Sequence, residues 1–214
     1  MSEHVKPTRP YRAPRRAERA ALTRRAILAA ARDLFVSRGY TPTTVAEIAE
    51  RAGVAVDTIY ATIGRKPALM RELVEAAISG TDHPVPAEER DYVQRTAAAA
   101  TAPEKFAAYA QGIVAIHGRL APIFLSLRDA AANDRDCAAL WTQISERRAA
   151  NMLRFAADLR STGELRSDLS DREVADVIWT MNAAEYFDLL AQRGWTPERI
   201  GEWLADAWTR LLLT

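Results

Sequence analysis

The chain has 214 residues, 49% of them hydrophobic and 27% charged, which is enough apolar material for one large folded domain or two small ones. Its single cysteine, Cys137, excludes an internal disulfide and is best interpreted as a small buried side chain. The net charge of +1 is unevenly spread, because residues 1–66 hold 13 Lys and Arg against 6 Asp and Glu (+7), which leaves 16 against 22 (−6) for residues 67–214. A basic segment followed by an acidic one is typical of a protein that presents one end to a polyanion.

The N-terminus predicts neither a signal peptide nor a membrane anchor. Residues 1–17 combine five basic side chains with three prolines and show no apolar periodicity, so we expect a disordered basic arm. A signal peptide would need an apolar core there, and no uninterrupted apolar run of about 18 residues predicts a membrane span elsewhere. We therefore expect a cytoplasmic protein with no membrane partner.

The segment 43–66 has the pattern of two short helices joined by a tight turn. Apolar residues at helical spacing first predict a helix over 19–38, which ends at Gly39. Thr44 and Glu47 then form a capping box that starts a second helix, and Gly53 supplies the left-handed residue that ends it. A third helix over 56–62 would have about two turns. Together these features predict a helix-turn-helix.

The same segment resembles the tetracycline-repressor-like (TetR) family of transcriptional regulators. The residues that carry the resemblance are Ala52, Gly53, Val54, Thr58, Ile59, Tyr60, Gly64, Lys66 and Leu69. The sequence departs from the family pattern at Ile63, where Phe is usual, and at Ala55 and Val56, where polar residues are common. The resemblance covers residues 22–70 and implies a DNA-binding head, with an all-helical layout beyond it.

Seven side chains of this segment are candidates for DNA contact: Thr44, Val56, Asp57, Thr58, Tyr60, Thr62 and Lys66. Hydroxyl and ammonium groups near helix N-termini are typical phosphate ligands, and the resemblance implies that role for Lys66 in particular. Thr58 could contact a phosphate or a base. Val56 could meet a thymine methyl group and Asp57 could accept from cytosine N4, although Asp57 could equally be a helix-end charge that never touches a base.

The rest of the chain predicts an all-α body. We expect helices over 66–79, 104–120, 123–133, 137–161, 174–193 and 198–213, with a linker over 80–87. Ser170 and Glu173 form another capping box before the helix predicted at 174. The predicted organisation is a disordered arm (1–17), a three-helix DNA-binding head (18–66) and a helical effector-binding and dimerisation body (67–214).

The last two predicted helices indicate a homodimer. The final helix has a wide apolar stripe that no later segment can cover, and the helix before it is apolar on nearly every side. We expect these helices to form a four-helix bundle with a second copy of the chain. The predicted interface residues are Val174, Ile178, Met181, Ile200, Leu204, Trp208 and Leu211.

The body offers candidates for a small-molecule pocket but none for catalysis. The sequence has no Gly-rich phosphate loop, His pair at metal spacing, Cys cluster or Ser-x-x-Lys, so we expect no enzyme, cofactor or metal. Candidate lining residues of an effector pocket are Tyr109, His117, Trp141, Phe155, Asn182 and Tyr186. Such side chains belong to the core by default and line a pocket only if the helices leave a cavity. Asn182 and Glu185 lie in an apolar helix and need polar partners.

The sequence therefore favours a ligand-responsive transcriptional repressor of the TetR type, which binds a palindromic operator as a homodimer. The alternative is a constitutive or architectural DNA-binding protein whose body is a solid dimerisation core. A third possibility is an enzyme in which the helix-turn-helix has no role. A cavity of a few hundred cubic ångströms in the body would separate the first two.

Overall fold

The computed structural model describes residues 13–81 and 85–214, and its side chains from residue 16 onward. Most of the predicted basic arm and residues 82–84 of the predicted linker lie outside these ranges. The predicted all-α class is confirmed. The described residues form ten α-helices and one 3-10 turn, and their one β-type pairing is an isolated bridge between Leu165 and Leu213.

The helices follow each other with short connections. Their bounds are α1 (Ala13–Arg38), α2 (Val45–Ala52), α3 (Val56–Thr62), α4 (Lys66–Ser79), α5 (Asp91–Ala98), α6 (Ala102–Ala131), α7 (Arg135–Arg160), α8 (Asp171–Met181), α9 (Ala184–Gln192) and α10 (Pro197–Leu212), with the 3-10 turn (Ala87–Glu89) before α5.

Helices α1, α2 and α3 form the predicted helix-turn-helix head. The capping box is present, because the Thr44 hydroxyl accepts from the Glu47 amide at 3.2 Å and the Glu47 carboxylate accepts from the Thr44 amide at 2.8 Å. Gly53 ends α2 in the left-handed conformation, with φ of 67°. Ile27, Ile48 and Ile59 of the head are fully buried and belong to one hydrophobic core that continues into the body.

Helix α6 is the centre of the body and is continuous where two helices were expected. It contacts α1, α4, α5, α7, α9 and α10 along its length. The prediction of separate helices over 104–120 and 123–133 is wrong, because α6 runs straight through Pro122. A proline inside a helix costs about 3 kcal/mol. Residues on both sides of it, including Leu120 and Phe124, are buried, and this packing offsets the cost.

The unbroken α6 also contains a long apolar stretch, which two separate helices over 104–120 and 123–133 would have divided. Among the described helices it is the one long and apolar enough to cross a membrane, by length and composition. The surrounding helices bury 61% of that stretch. Its apolar character is thus accounted for by its position in the core.

The helix predicted over 174–193 is instead two helices, α8 and α9. The capping box at its start is present. The Ser170 amide donates to the Glu173 carboxylate at 2.8 Å, and the Glu173 amide donates to the Ser170 hydroxyl at 3.3 Å. Asn182 ends α8 with φ of −90° and ψ of 21°, which is outside the helical region. Its carbonyl oxygen accepts from the side chains of His117 and Arg148, so side chains of α6 and α7 occupy the acceptor at the break.

The apolar stripe of α10 is covered within the protomer, contrary to expectation. Helix α10 packs along α6, where the Trp208 ring lies 5.9 Å from Phe106 and 5.8 Å from Tyr109. Of the seven predicted interface residues, five are buried in the protomer's own core: Val174, Ile178, Ile200, Leu204 and Trp208. Met181 is half-buried, and Leu211 is 47% exposed. The five buried side chains pack within the protomer itself, which leaves little of their surface for the predicted interface.

Candidate functional site

The candidate DNA contacts lie together on the α2, α3 and α4 segments of the head. Ile59 faces the core while the next residue, Tyr60, is 49% exposed, so α3 presents an outer face. Thr44 and Asp57 are also exposed, whereas Val56, Thr58, Thr62 and Lys66 are half-buried. Asp57 lies in the first turn of α3, so a base contact and a helix-end charge both remain compatible with its position.

Lys66 is held at the junction of head and body. Its ammonium group lies 4.1 Å from the centroid of the Tyr40 ring and donates to the Thr41 carbonyl oxygen at 3.3 Å. Partial burial lowers the pKa of Lys66. The ammonium is therefore confined to one place at the first turn of α4, as a positioned phosphate ligand would require.

Two further contacts fasten the head to the body, and sequence patterns gave no sign of either. The Tyr40 hydroxyl donates to the carboxylate of Asp134, which also caps the N-terminus of α7. The buried Ser126 hydroxyl of α6 donates to the Phe35 carbonyl oxygen of α1 at 3.1 Å. Each contact joins residues about ninety positions apart in the chain.

The body contains a cavity of about 380 Å³ between α5, α6 and α7, with one end of α4 in its wall. Four of the six candidate effector residues line it: Tyr109, His117, Phe155 and Asn182. The other two do not. Trp141 stacks on Phe124 with ring centroids 4.4 Å apart, and the Tyr186 hydroxyl accepts from the Trp203 indole at 2.8 Å.

Helix α5 forms a wall of this cavity, a role that no pattern in its sequence indicated. Its Tyr92 lies directly against Gly112 of α6, since a Cβ atom at Gly112 would come within 2.3 Å of the Tyr92 side chain. Only glycine permits this approach. The close packing places Tyr92, Val93 and Thr96 in the cavity wall.

A network of polar groups forms the inner end of the cavity at the break between α8 and α9. The Asn182 amide donates to the Tyr109 hydroxyl, which donates to the Met152 sulfur at 3.3 Å. His117 Nε2 faces both the carbonyl and the side-chain oxygen of Asn182, at 3.1 and 3.2 Å. The polar partners that Asn182 needed are thus side chains of α6 and α7. Glu185 is instead paired with Arg128 at 3.1 Å.

His117 is buried as the neutral imidazole. Because Nε2 faces two oxygen acceptors it carries the proton, and Nδ1 is left buried without a hydrogen-bond partner. Burial lowers the pKa of His117 to about 4, and the nearby Arg148 cation adds to the effect.

This buried imidazole should make folding stability depend on pH. The unfolded chain binds a proton near pH 6.5, whereas the folded protein binds it only near pH 4. The contribution of neutral His117 to the free energy of unfolding is therefore complete above about pH 6.5. It is lost as the pH falls towards 4, by about 3 kcal/mol in total. Urea unfolding between about pH 7 and pH 5 measures the loss. His117→Gln should flatten this part of the profile, and an unchanged profile would contradict the assignment.

The described residues contain no group of three His, Cys, Asp or Glu side chains that could hold a metal ion. The candidate site has two parts, the exposed face of the head and a largely apolar cavity in the body, and helix α4 connects them. Lys66 lies at the first turn of that helix and Ile78, near its last turn, lines the cavity.

Comparison with known families identifies the head. Residues 27–77, from α1 to α4, match the family of bacterial regulatory proteins named the tetR family. No curated protein sequence matches the chain significantly.

Solved structures extend the similarity to nearly the whole chain. The MbdR regulator from Azoarcus sp. CIB has a TM-score of 0.69 at 22% identity over 90% of this chain and 100% of its own. NalD of Pseudomonas aeruginosa has 0.69 at 18% identity over 91% and 98%. A transcriptional regulator from Saccharomonospora viridis in complex with choline has 0.65 at 18% identity over 89% and 97%. At these identities the similarity establishes the fold of head and body together.

Proposed function

Because the chain belongs, through residues 27–77, to the tetR family of bacterial DNA-binding transcription regulators, we propose that it is a ligand-responsive repressor. It acts in the cytoplasm as a homodimer on a palindromic operator and releases the DNA when a small molecule enters the body cavity. The cavity of about 380 Å³ is the observation that carries this proposal, since a solid body would favour the constitutive alternative. Two relatives in fold lend support: NalD is described as a repressor of an efflux pump, and the S. viridis regulator was solved with choline.

Ligand and DNA are coupled through α4 in this proposal. The helix begins at Lys66 beside the head and brings Ile78 to the cavity wall, so a ligand touches the same rigid element that carries a phosphate contact. A ligand that binds more tightly when α4 has a tilt other than the DNA-binding one must lower DNA affinity. The size of the effect is the difference in the ligand's binding free energy between the two tilts, typically about 1 to 3 kcal/mol. The contacts from Tyr40 to Asp134 and from Ser126 to Phe35 hold the head in one of these arrangements.

The homodimer in this proposal uses the outer faces of α9 and α10. Three large apolar side chains remain exposed there: Leu189 at 62%, Leu211 at 47% and Trp203 at 37%. Trp203 also packs against Trp195, with ring centroids 6.0 Å apart, and bonds Tyr186, which ties α10 to α9. An exposed apolar surface built from two joined helices is typical of an isologous interface.

Lys66 and Tyr60 are the proposed phosphate contacts, so neutral variants should weaken DNA binding without changing its sequence preference. Lys66→Met keeps the packing on Tyr40 but removes the charge, and should flatten the salt dependence of binding by about one unit. Fluorescence anisotropy on operator and unrelated duplexes over a salt series measures this. Val56 or Asp57 variants should instead change which site is preferred.

The control for Lys66→Met is Arg172→Met, which removes an exposed cation from α8 in the body. It should leave both affinity and salt slope unchanged. A Tyr60→Phe, Lys66→Met double variant that binds operator as tightly as the wild type at every salt concentration would contradict the assigned contacts.

The operator is found by capturing genomic fragments on the purified protein, and ligands by thermal-shift screening. Each ligand is then titrated into the protein–DNA complex. Release of DNA is the expected result. Ligands that stabilise the free protein but never lower its DNA affinity would favour the constitutive binder.

A further inference from the structure

The cavity wall contains a guanidinium group with no carboxylate of the described chain in ion-pair contact. The carboxylate of Glu185 acts on it only from a distance, because Glu185 is itself paired with Arg128 at 3.1 Å. Arg148 of α7 uses Nη2 to donate to the carbonyl oxygens of Asn182 at 2.9 Å and Trp179 at 3.4 Å. Within the described residues no carboxylate forms an ion pair with Arg148, and its Nε and Nη1 have no hydrogen-bond partner. Burial lowers the pKa of this guanidinium, which expresses the cost of holding the cation away from water.

The surroundings of Arg148 keep it in position. Its Cζ atom lies 5.2 Å from the Trp179 ring and 6.0 Å from the Phe124 ring, so two aromatic faces flank the guanidinium. Together with the two carbonyl oxygens they fix its plane. A planar fork of donors with free N–H groups is the arrangement that binds a carboxylate through two parallel hydrogen bonds.

The other charges of the wall do not neutralise Arg148. Four arginines line the cavity, namely Arg90, Arg147, Arg148 and Arg154, against two carboxylates, Asp158 and Glu88. Asp158 is already paired with the buried Lys105 at 2.9 Å, and Glu88 is exposed. Of the arginines, Arg147 has its own partner, Glu75, at 3.0 Å. The cavity is therefore positive in charge, and its inner cation is available.

The remainder of the wall is apolar. Ile113, Ile116 and Leu120 of α6 face Ile144 and Phe155 of α7 across the cavity. Such a surface favours a ring system or a branched alkyl body and gives polar groups no partner there.

We propose that the cavity binds an amphipathic organic anion, whose apolar body fills the space between α5, α6 and α7 and whose carboxylate or equivalent anionic group pairs with Arg148. This inference rests on the proposed function, because it names the chemical class of the effector. The ligand neutralises a buried charge that the protein alone leaves unpaired, and an uncharged analogue of equal size does not.

Two fluorescent probes of matched shape test the class. Anilinonaphthalene sulfonate is an aromatic anion, and phenylnaphthylamine is the same ring system without the sulfonate. Titrated into the full-length protein, the anion should bind at least about 10-fold more tightly than the neutral probe. Ile113→Trp, which fills the cavity, should abolish binding of the anion and so locate it. Equal or tighter binding of the neutral probe, or no binding of the anion, overturns the proposal.

Variants of Arg148 test whether this residue binds the anionic group of the ligand. Arg148→Met should weaken anion binding by about 10-fold or more and leave the neutral probe unchanged. Arg148→Lys keeps the charge but loses the planar fork, so it should bind the anion less tightly than the wild type and more tightly than Arg148→Met. Arg154→Met is the matched control, since it removes another arginine of the wall and should have little effect. Thermal unfolding by circular dichroism checks that each variant folds, and Arg148→Lys keeps the test valid if Arg148→Met does not. The assignment is overturned if Arg148→Met keeps wild-type anion affinity, or if a folded Arg148→Lys binds the anion no more tightly than Arg148→Met does.

One experiment distinguishes a failure of the proposed ligand class from a failure of the proposed function. Naphthoate, biphenylcarboxylate and decanoate, each compared with its primary amide, are titrated against the free protein and against the DNA complex. Carboxylates that bind at Arg148 without releasing DNA support the class but contradict the ligand-responsive repressor. Release of DNA by the amides and not by the carboxylates supports the repressor and overturns the class.

Discussion

Replacing Trp208 with glutamate should unfold the protomer. The indole is completely buried between α10 and α6, where it touches the rings of Phe106 and Tyr109. Loss of a large aromatic side chain from a core costs about 3–5 kcal/mol. A carboxylate left in its place adds several kcal/mol more, because the ion would lose its hydration in this apolar site. The sum is comparable with the whole stability of a typical domain, about 5–15 kcal/mol. Circular dichroism and urea unfolding measure the result.

Two variants separate this core effect from a surface effect. Trp208→Phe should cost much less, about 1–2 kcal/mol, because the indole Nε1 has no hydrogen-bond partner to lose. Trp203→Glu changes a 37% exposed residue on the same helix and should leave the protomer folded. A folded, monomeric Trp208→Glu protein with native unfolding behaviour would show that Trp208 lies in an interface and not in the core.

The sequence could identify the apolar stripe of α10 but not what covers it. The spacing of the apolar residues predicts that Ile200, Leu204 and Trp208 share one face of a helix, and all three are buried on α10. A stripe that packs on another helix of the same chain has the same pattern as one that packs on a second copy. The partner is α6, which lies far earlier in the chain, and only the three-dimensional arrangement reveals it.

Local features could be predicted because their causes lie within a few residues. The Thr44 and Ser170 capping boxes and the left-handed Gly53 depend on side chains and backbone three or four positions away, and all are found. The continuity of α6 through Pro122 and the break at Asn182 depend instead on distant packing. Burial on both sides of the proline overrides its local preference, and side chains from α6 and α7 hold the Asn182 carbonyl.

The cavity was the least accessible feature to sequence reasoning. It is the volume left between three helices, and its shape depends on the contact between Gly112 and Tyr92. Aromatic residues such as Trp141 fill core space or line a cavity with the same helical spacing, so the sequence left both readings open. Arg148 carries no signal either, since an arginine in an amphipathic helix is usually a solvated surface charge.

The Leu189→Glu, Leu211→Glu double variant should be a folded monomer that no longer binds operator DNA tightly. Both side chains are mostly exposed in the protomer, at 62% and 47%, so the charges cost little folding stability. In the proposed homodimer the same positions would bring pairs of carboxylates into an apolar interface, which is strongly unfavourable. Operator binding needs two heads that reach successive major grooves about 34 Å apart, so a monomer keeps only weak, single-site binding.

Light scattering at micromolar concentration and anisotropy on the captured operator measure the two effects together. Leu153→Glu is the matched control, because Leu153 is 43% exposed but lies on α7, away from the proposed surface of α9 and α10. It should remain dimeric and bind DNA as the wild type does. If the double variant stayed dimeric while Leu153→Glu dissociated, the interface would lie on α7. A monomeric wild type would instead contradict the proposed homodimer, because a palindromic operator needs a second head to bind its second half-site.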